Sequence, residues 1–280
     1  MQNIVLMLLE PITKQLFSDI NRLRWELERA NLPDREVAIA NPLTAYGRRF
    51  FSQNDEDGIL LEILRRLEIS GSSVFLEFGV GGGTECNTII LLALGWRGVW
   101  VGGEMLSFDL PRESRLHFLH RWITRENAAQ LAREGLAALN SQVGDVRVAC
   151  VDIDGNDGPI VRALLAGGIL PDVFVVEYNA KFPPGFEFVM PYDEEFVWEG
   201  DDYQGVSLQS WIGIFASMQY SLVACNENGT NAFFVKTDFM HHFADVPKNI
   251  DQIYRIGHYG LYEQSGHRTS PRTVHHLATR

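Results

Sequence analysis

The fold is decided by residues 74–84, which read Val-Phe-Leu-Glu-Phe-Gly-Val-Gly-Gly-Gly-Thr. The first five are apolar apart from Glu77, and they predict a buried strand over 74–78. The glycines that follow predict a tight turn at which the backbone can approach a ligand closely. Since open α/β sheets bind ligands beyond the carboxyl ends of their strands, this loop is the predicted cradle for a nucleotide or nucleoside.

Short apolar runs alternate with helical patterns on both sides of this loop. The alternation favours a doubly wound, mostly parallel sheet with helices on both faces. Strands are predicted at 74–78, 98–101, 116–123, 146–153 and 173–177, and helices at 88–94, 125–139, 158–165 and 207–218. Two further strands, 220–225 and 232–236, are joined by the Asn- and Gly-rich turn 226–231, which predicts an antiparallel hairpin at the end of the sheet.

Another helix is predicted after Ser52-Gln53-Asn54, with a buried stripe formed by Ile59, Leu60, Ile63, Leu64 and Leu67. Asp55, Glu56 and Asp57 fall in its first turn, where the helix dipole favours acids, and we interpret at least two of the three as capping residues.

Three regions are predicted. Residues 1–45 form an N-terminal helical extension, 46–240 an α/β domain with a lid insertion at about 181–206, and 241–280 a polar C-terminal tail. Leu16, Ile20, Leu23 and Leu27 recur at helical spacing, so we expect this helix to pack on the domain or on a second copy of the chain, as in a homo-oligomer. The insertion has no period and is rich in proline, aromatic and acidic residues, which is typical of a functional loop.

Composition excludes several classes of protein. The chain has 280 residues, 46% of them hydrophobic and 21% charged, as in a globular protein. A net charge of −12 makes nucleic acid a poor partner. Cys86, Cys150 and Cys225 are scattered in apolar stretches, which indicates buried thiols in a reducing compartment and therefore the cytoplasm. The apolar start, 1–9, is short and lacks basic residues, so neither a signal peptide nor a membrane span is predicted.

The glycine loop also indicates its ligand. Thr84 stands where a dinucleotide fingerprint has its last glycine, and Glu77 would repel a pyrophosphate, so an NAD-dependent redox enzyme is disfavoured. A cationic group suits Glu77 better. The string Glu77 to Gly83 resembles the acid-x-Gly-x-Gly-x-Gly loop of class I S-adenosylmethionine-dependent methyltransferases, in which the methionine moiety of the donor lies at this loop.

The resemblance extends over residues 51–238. It is carried by 52–58 (Ser-Gln-Asn-Asp-Glu-Asp-Gly), 75–81 (Phe-Leu-Glu-Phe-Gly-Val-Gly), 95–98 (Gly-Trp-Arg-Gly), 152–157 (Asp-Ile-Asp-Gly-Asn-Asp), 177–179 (Glu-Tyr-Asn), 191–193 (Pro-Tyr-Asp), 202–205 (Asp-Tyr-Gln-Gly) and 231–235 (Asn-Ala-Phe-Phe-Val). Together these resemble the FkbM-type methyltransferases of polysaccharide and natural-product gene clusters. The resemblance implies a seven-stranded class I methyltransferase fold, S-adenosylmethionine as donor, and a sugar hydroxyl of a glycan or glycosylated metabolite as acceptor.

The predicted donor site consists of Glu77, Gly79, Gly81, Gly83, Glu104, Thr124 and Asp152. Glu104 lies about 20 residues past the glycine loop, the spacing of a ribose-binding acid. Thr124 caps the following helix and is placed near the adenine. Relatives carry acid-Gly-Asp at this strand end, whereas this chain has Gly102-Gly103-Glu104 followed by the unusual segment 105–115. That departure keeps open an alternative function, a repurposed glycan-binding protein that has lost the donor site.

Acids also follow two later strands. Asp152, Asp154 and Asp157 come after one strand, and Glu177 and Asn179 end the next. Asp154, Glu177 and Asn179 are the predicted catalytic residues. Either Asp154 and Glu177, with Asn179, hold a divalent ion such as Mg²⁺ that lowers the pKa of an acceptor hydroxyl, or one acid acts alone as general base. A purely structural alternative has Asp157 capping the next helix and Asp152 binding loop amides.

Acceptor binding is predicted in the insertion. Aromatic faces with neighbouring carboxylates suit sugars, since rings stack on C–H faces and carboxylates accept hydroxyl protons. The insertion offers Tyr192, Asp193, Trp198, Asp201, Asp202 and Tyr203, and Tyr178, Tyr192, Asp193 and Tyr203 are the predicted acceptor-binding residues.

Overall fold

The computed structural model describes residues 40–259 and 268–279, together with Ile20, Leu23 and Leu27. The strands are β1 (Val74–Phe78), β2 (Arg97–Gly102), β3 (Leu116–His120), β4 (Val146–Val151), β5 (Val173–Glu177), β6 (Tyr220–Cys225) and β7 (Asn231–Lys236). Within the described residues they form one seven-stranded sheet in the order β3-β2-β1-β4-β5-β7-β6.

Strands β1 to β5 pair in parallel, and β7 is antiparallel to both β5 and β6. The chain moves outward from β1 to β3 and then crosses back to β4, so the direction of winding reverses between β1 and β4. This reversal is the switch point at which such sheets bind ligands. The predicted doubly wound, mostly parallel sheet of seven strands, ending in an antiparallel hairpin, is confirmed.

Helices with described bounds follow the predicted alternation. They are α1 (Glu56–Arg66), α2 (Ile89–Ala93), α3 (Ala128–Ala138), α4 (Asp157–Ala166), α5 (Leu208–Ala216), α6 (Ile250–Ile253) and α7 (Pro271–Thr279), with 3-10 turns at Thr44–Tyr46, Val143–Asp145 and Thr237–Phe243. All five residues of β1 are buried, which requires cover on both faces of the sheet.

Aromatic packing fixes the antiparallel end of the sheet. The Phe215 ring of α5 lies 4.3 Å from that of Phe234 on β7 and 5.1 Å from that of Phe174 on β5, measured between ring centroids. Tyr220 of β6 meets both Phe174 and Phe215 edge-on. Rings in these tilted and edge-on arrangements add to the hydrophobic stabilisation of a core. They hold β5, and therefore Glu177 at its end, in a fixed position.

Two strands end earlier than predicted. β3 ends at His120 rather than at 123, and β4 at Val151 rather than at 153. After β4 the chain turns sharply, because Asp154 adopts a left-handed backbone conformation with φ of 57°. α3 likewise begins at Ala128 rather than at 125, and its N-cap residue is Asn127 rather than Thr124. Thr124 caps the turn before the helix, its Oγ1 accepting from Asn127 N at 3.2 Å.

The acids of α1 bind loops rather than the end of their own helix. Asp55 is the N-cap residue, but its side chain makes no cap bond. It accepts instead from the backbone N–H of Glu227 at 2.9 Å, in the turn between β6 and β7. Glu56 accepts from the side-chain amides of Asn226 and Asn231, at 2.8 and 3.0 Å. The capping interpretation is therefore wrong in its partners, because these acids join α1 to the hairpin.

Described residues at both ends of the chain are helical. Ile20, Leu23 and Leu27 are helical and more than half exposed, while Leu16 and the rest of 1–39 lie outside the described residues. The predicted polar tail contains α7, whose Val274 and Ala278 are buried. Cys86, Cys150 and Cys225 are buried free thiols, as predicted. Among the described helices, none combines the length and the apolar character that crossing a bilayer requires.

Candidate functional site

Two cavities open at the carboxyl edge of the sheet, beside the switch point. The small cavity, of about 330 Å³, is lined by the glycine loop 79–87, by Glu77 and by Asn231. The large cavity, of about 1030 Å³, lies between the ends of β4 and β5, the insertion and the segment around Tyr254. Gln53, Asp152 and Asp154 line both, so the two cavities meet at these side chains.

The three predicted loop glycines have different reasons to be glycine. A Cβ on Gly79 would lie 1.6 Å from the carbonyl oxygen of Asp152, and one on Gly83 would lie 2.7 Å from Leu106. Both positions therefore lack a side chain because the protein itself packs there. A Cβ on Gly81 would meet nothing within 4 Å, so Gly81 is the glycine whose backbone faces open space in the small cavity.

Glu77 lies at the end of β1 beneath this loop and binds the start of the next helix. Its carboxylate accepts from the backbone N–H of Asn87 at 2.8 Å and of Thr88 at 3.1 Å, and from the Thr88 hydroxyl. Thr88 Oγ1 in turn accepts from Trp100 Nε1 at 2.8 Å. Burial raises the pKa of Glu77 to about 7, although these hydrogen bonds act in the opposite direction. Both oxygens are thus engaged within the chain, and a ligand ammonium would be an additional partner.

The predicted ribose and adenine contacts lie outside both cavities. Glu104 is exposed. Burial raises the pKa of Asp154, and the charge of Glu104 raises it further. Thr124 uses its hydroxyl in the cap of the turn before α3. The segment 105–115 folds back over the glycine loop, where Ser107 donates to the carbonyl of Gly82 from both its backbone N–H and its hydroxyl, at 3.0 and 2.8 Å.

A compact group of carboxylates lies at the ends of β4 and β5. Oxygens of Asp152, Asp157 and Glu177 all lie within 4.8 Å of one another. Asp157 also accepts from the backbone N–H groups of Ile153 and Gly155, both at 2.9 Å, so it holds the loop in the way expected of Asp152. Three oxygens at this separation can hold a divalent cation. Of the two predicted metal ligands, Glu177 belongs to this group and Asp154 does not.

Mutual repulsion shapes the ionisation of this group. Burial raises the pKa of Glu177 well above its usual range, and the charges of Asp152, Asp157 and Asp154 raise it further. Burial also raises the pKa of Asp152 well above its usual range, and the charges of Asp157 and Asp154 raise it further. Carboxyl groups with raised pKa values can accept protons near neutral pH, as a general base requires.

The other predicted catalytic residues have different surroundings. Asp154 is exposed at the junction of the two cavities. Asn179 is 2% exposed and anchors the insertion, since its Nδ2 donates to the carbonyls of Asp202 and Gln204 at 2.8 and 2.9 Å. Asn179 therefore positions a wall of the large cavity.

The four predicted acceptor-binding residues line neither cavity. Tyr178 is buried and donates to the carbonyl of Arg255 at 2.5 Å. Tyr192 donates to Glu126 at 3.1 Å and packs under the guanidinium of Arg125, which docks the insertion onto the start of α3. Asp193 pairs through its backbone with Asn156, and Tyr203 meets the ring of Phe188 edge-on. Trp198, Asp201 and Asp202 are the insertion residues considered from sequence that do line the large cavity.

Several polar residues of the cavity walls were not predicted as site residues from sequence. They include Gln53, Gln204, Asn228 and Asn231. The turn 226–231 reads as a solvent-facing hairpin, yet Asn228 and Asn231 are buried. The signal for Asn231 is topological: β7 runs antiparallel to β5, and Asn231 pairs with Glu177 in the ladder. A hairpin that follows a parallel sheet therefore returns its turn to the ligand-binding edge.

No family model and no curated protein matches the sequence. Similar solved structures include a candidate hemolysin from Streptococcus thermophilus, with 16% sequence identity and a TM-score of 0.38. The match covers 64% of this chain and 65% of the hemolysin chain, so this chain spans just under two thirds of the hemolysin's length. They include the Burkholderia thailandensis 1,6-didemethyltoxoflavin-N1-methyltransferase with bound S-adenosylhomocysteine (14% identity, 79% and 90% of the chains, TM-score 0.37). A third is a Geobacter sulfurreducens SAM-dependent methyltransferase in complex with S-adenosylhomocysteine (15% identity, 65% and 70%, TM-score 0.32). These scores carry no information on activity, and the fold assignment rests on the strand order.

Proposed function

We propose that the protein is an S-adenosylmethionine-dependent O-methyltransferase that acts on a sugar hydroxyl of a glycan or glycosylated metabolite, as its FkbM-type resemblance implies. The observation that supports this most directly is the meeting of two cavities at Gln53, Asp152 and Asp154. Group transfer requires two substrates held side by side with their reacting atoms in contact. A donor in the small cavity and an acceptor in the large one would meet at these residues.

The small cavity fits the donor chemically. Its volume falls in the range of about 300–1,000 Å³ that small-molecule sites occupy. Gly81 leaves open space for close approach, and the buried Asn231 Oδ1 has no hydrogen-bond partner. Asp152 and Asp154 supply negative charge to a cationic ligand. When bound, S-adenosylmethionine supplies an activated methyl group on a positively charged sulfur.

The acceptor side requires a base and an oriented hydroxyl. Glu177 and Asp154 line the large cavity, and Asp152 lies where the cavities meet. We assign proton removal to this group of acids, because the raised pKa values of Glu177 and Asp152 suit them to receive a proton. Asn179 acts as a positioning residue through the insertion.

Mg²⁺ is the second candidate for the same carboxylates. The favouring observation is the 4.8 Å grouping of Asp152, Asp157 and Glu177 oxygens. These residues would hold the ion, and the ion would lower the pKa of a bound hydroxyl. Titration with MgCl₂ before and after treatment with a chelator tests this part separately.

The donor assignment is tested by titrating S-adenosylhomocysteine into the wild-type protein and the Gly81→Trp variant in a calorimeter. We expect wild-type binding and a loss of more than about tenfold in affinity in the variant, since the indole fills the open space above Gly81. Gly71→Trp is the matched control, because Gly71 also has a positive φ and open surroundings but lies away from both cavities. Equal affinities in both variants would place the donor elsewhere.

The alternative function, a glycan-binding protein without a donor site, has its own supporting observation. The segment 105–115 covers the glycine loop, and Glu104 and Thr124 line neither cavity. Absence of any heat or thermal shift when S-adenosylhomocysteine is added to the wild-type protein would favour this alternative.

A further inference from the structure

Three residues that line the large cavity each carry a buried side-chain oxygen with no hydrogen-bond partner among the described residues. The oxygens are Glu177 Oε2, Gln204 Oε1 and Asn228 Oδ1. Gln204 is 9% exposed and Asn228 1%. A buried acceptor without a partner is destabilising, so these three side chains favour a ligand that donates hydrogen bonds.

The orientation of Asn228 has a structural cause. Its Nδ2 donates to Thr230 Oγ1 at 2.7 Å, and its backbone N–H approaches Asp55 at 3.4 Å. With the amide nitrogen engaged in the turn, the oxygen is left as the unpaired atom. The unpaired atom that the turn between β6 and β7 leaves beside the cavity is thus an acceptor rather than a donor.

The charge of the wall is strongly unbalanced. Its described carboxylates are Asp152, Asp154, Glu177, Asp201 and Asp202. Lys181 is the single cation among the described lining residues, and its Nζ lies 3.5 Å from Asp202, at the exposed rim. Asp152, Asp154 and Glu177 therefore have no positive neighbour among the described lining residues, and their mutual repulsion favours a ligand that brings positive charge.

The aromatic rings and the volume of the large cavity favour an organic cation over a metal ion. Trp198, Tyr254 and Tyr259 line the same cavity, and ring faces attract ammonium groups. A bare metal ion would use only the carboxylates, whereas a volume of about 1030 Å³ accommodates an organic molecule. Neutral hydroxyls donate but also accept, while an ammonium offers three donors and no acceptor, which matches a wall of unpaired acceptors.

We propose that the acceptor carries a protonated amine, as in an amine-bearing sugar, and that Glu177 is its counter-ion, with Gln204 and Asn228 accepting from the same ligand. Within the group of acids, proton removal from the acceptor hydroxyl then falls to Asp152, where the two cavities meet. Because the large cavity belongs to the acceptor only under the function proposed above, this inference deepens that function. It changes the substrate class from a neutral sugar to a cationic one.

The test uses a matched pair of ligands on the full chain. 2-Deoxystreptamine is a cyclic diamine with sugar-like hydroxyls, and its N,N′-diacetyl derivative keeps the hydroxyls and loses both charges. By calorimetry at neutral pH we expect the diamine to bind more than about tenfold more tightly than the diacetyl compound. Glu177→Gln should remove the preference. Glu187→Gln, which removes an exposed acid of the insertion outside both cavities, should preserve it.

Several results would overturn the inference. One is absence of heat with the diamine, and another is equal binding of the two ligands by wild-type protein, a comparison that needs no variant to fold. A third is MgCl₂ binding that depends on Glu177 and displaces the diamine, which would make the acids a metal site. S-adenosylhomocysteine is titrated into the same sample. If it binds but the protein does not prefer the diamine, this inference is overturned and the proposed methyltransferase stands. If the protein prefers the diamine but does not bind S-adenosylhomocysteine, the proposed methyltransferase is overturned and this inference stands.

Discussion

Gly79→Ala is expected to lower the free energy of unfolding by about 3 kcal/mol or more, through two effects. Gly79 has a φ of 94°, which an alanine adopts only with strain. Its added Cβ would also overlap the carbonyl oxygen of Asp152 at 1.6 Å, and backbone cannot move aside as a side chain can. Relief would require the ends of β1 and β4 to separate, at the point where Asp152 N donates to Phe78 O at 3.1 Å.

Gly71→Ala separates the two effects. Gly71 has a φ of 80° and nothing within 4 Å of its added Cβ, so it carries the backbone strain without the overlap. Urea denaturation of both variants measures the difference. We expect Gly71→Ala to lose only about 1–2 kcal/mol. A Gly79→Ala variant no less stable than Gly71→Ala would show that β1 and β4 do not approach each other as closely as described.

The sheet was predictable because a parallel strand that is buried on both faces has a nearly continuous apolar sequence. β1 and β5 coincide with their predicted bounds for this reason. The end of β4 was not predictable from apolar character alone. Ile153 continues the run, but Asp154 turns the chain and Asp157 holds the turn through two backbone N–H groups. Such a turn is determined by a side chain that follows it in the sequence.

The candidate site was predictable where it depends on strand ends. Asp152 and Glu177 follow strands whose carboxyl ends must share one edge, and the structure groups their oxygens. Asn228 and Asn231 were not predicted, because a turn rich in Asn and Gly is usually solvent-facing. Their burial depends on Asp55 and Glu56, which bind that turn from about 170 positions earlier in the chain.

The insertion shows where pattern fails altogether. Without a period, nothing in its sequence tells which ring faces inward. Tyr192 and Tyr203 pack outside the cavities, while Trp198 and Gln204 line the large one. The difference arises from anchors on other elements, namely Arg125 against Tyr192 and Asn179 against the carbonyl of Gln204.

Stability is expected to fall as the pH rises from about 4 to about 8. Burial is the largest cause of a raised pKa at seven described carboxyls, and a group with a raised folded-state pKa stabilises the fold below its unfolded pKa and loses that contribution as the pH rises. The seven are Asp55, Asp57, Glu77, Asp152, Asp154, Asp157 and Glu177. Acids paired with arginine, such as Glu62 and Asp245, have lowered pKa values and act in the opposite direction.

Asp57→Asn isolates one member of this set. Asp57 is fully buried, and a single oxygen, Oδ2, accepts from the backbone N–H groups of Phe50, Phe51 and Ser52 at 2.6–2.9 Å, while Oδ1 has no partner. The amide oxygen of asparagine can take the place of Oδ2, so the three bonds persist and only the titration is removed. Any cost of burying the new NH₂ group does not depend on pH.

The free energy of unfolding is expected to depend less on pH in the Asp57→Asn variant than in the wild-type protein. Burial raises the pKa of Asp57 from 3.8 to about 6, so wild-type protein should lose up to about 3 kcal/mol more than the variant across this window. Urea denaturation at intervals from pH 4 to pH 7 measures both slopes. Asp245→Asn is the control, and its effect on the pH dependence of stability should be small and opposite in sign. The reason is that the Arg66 guanidinium lowers the pKa of this half-exposed acid. Parallel profiles for wild type and Asp57→Asn would mean that Asp57 is ionised in the folded protein at no cost, with its three N–H donors offsetting its burial.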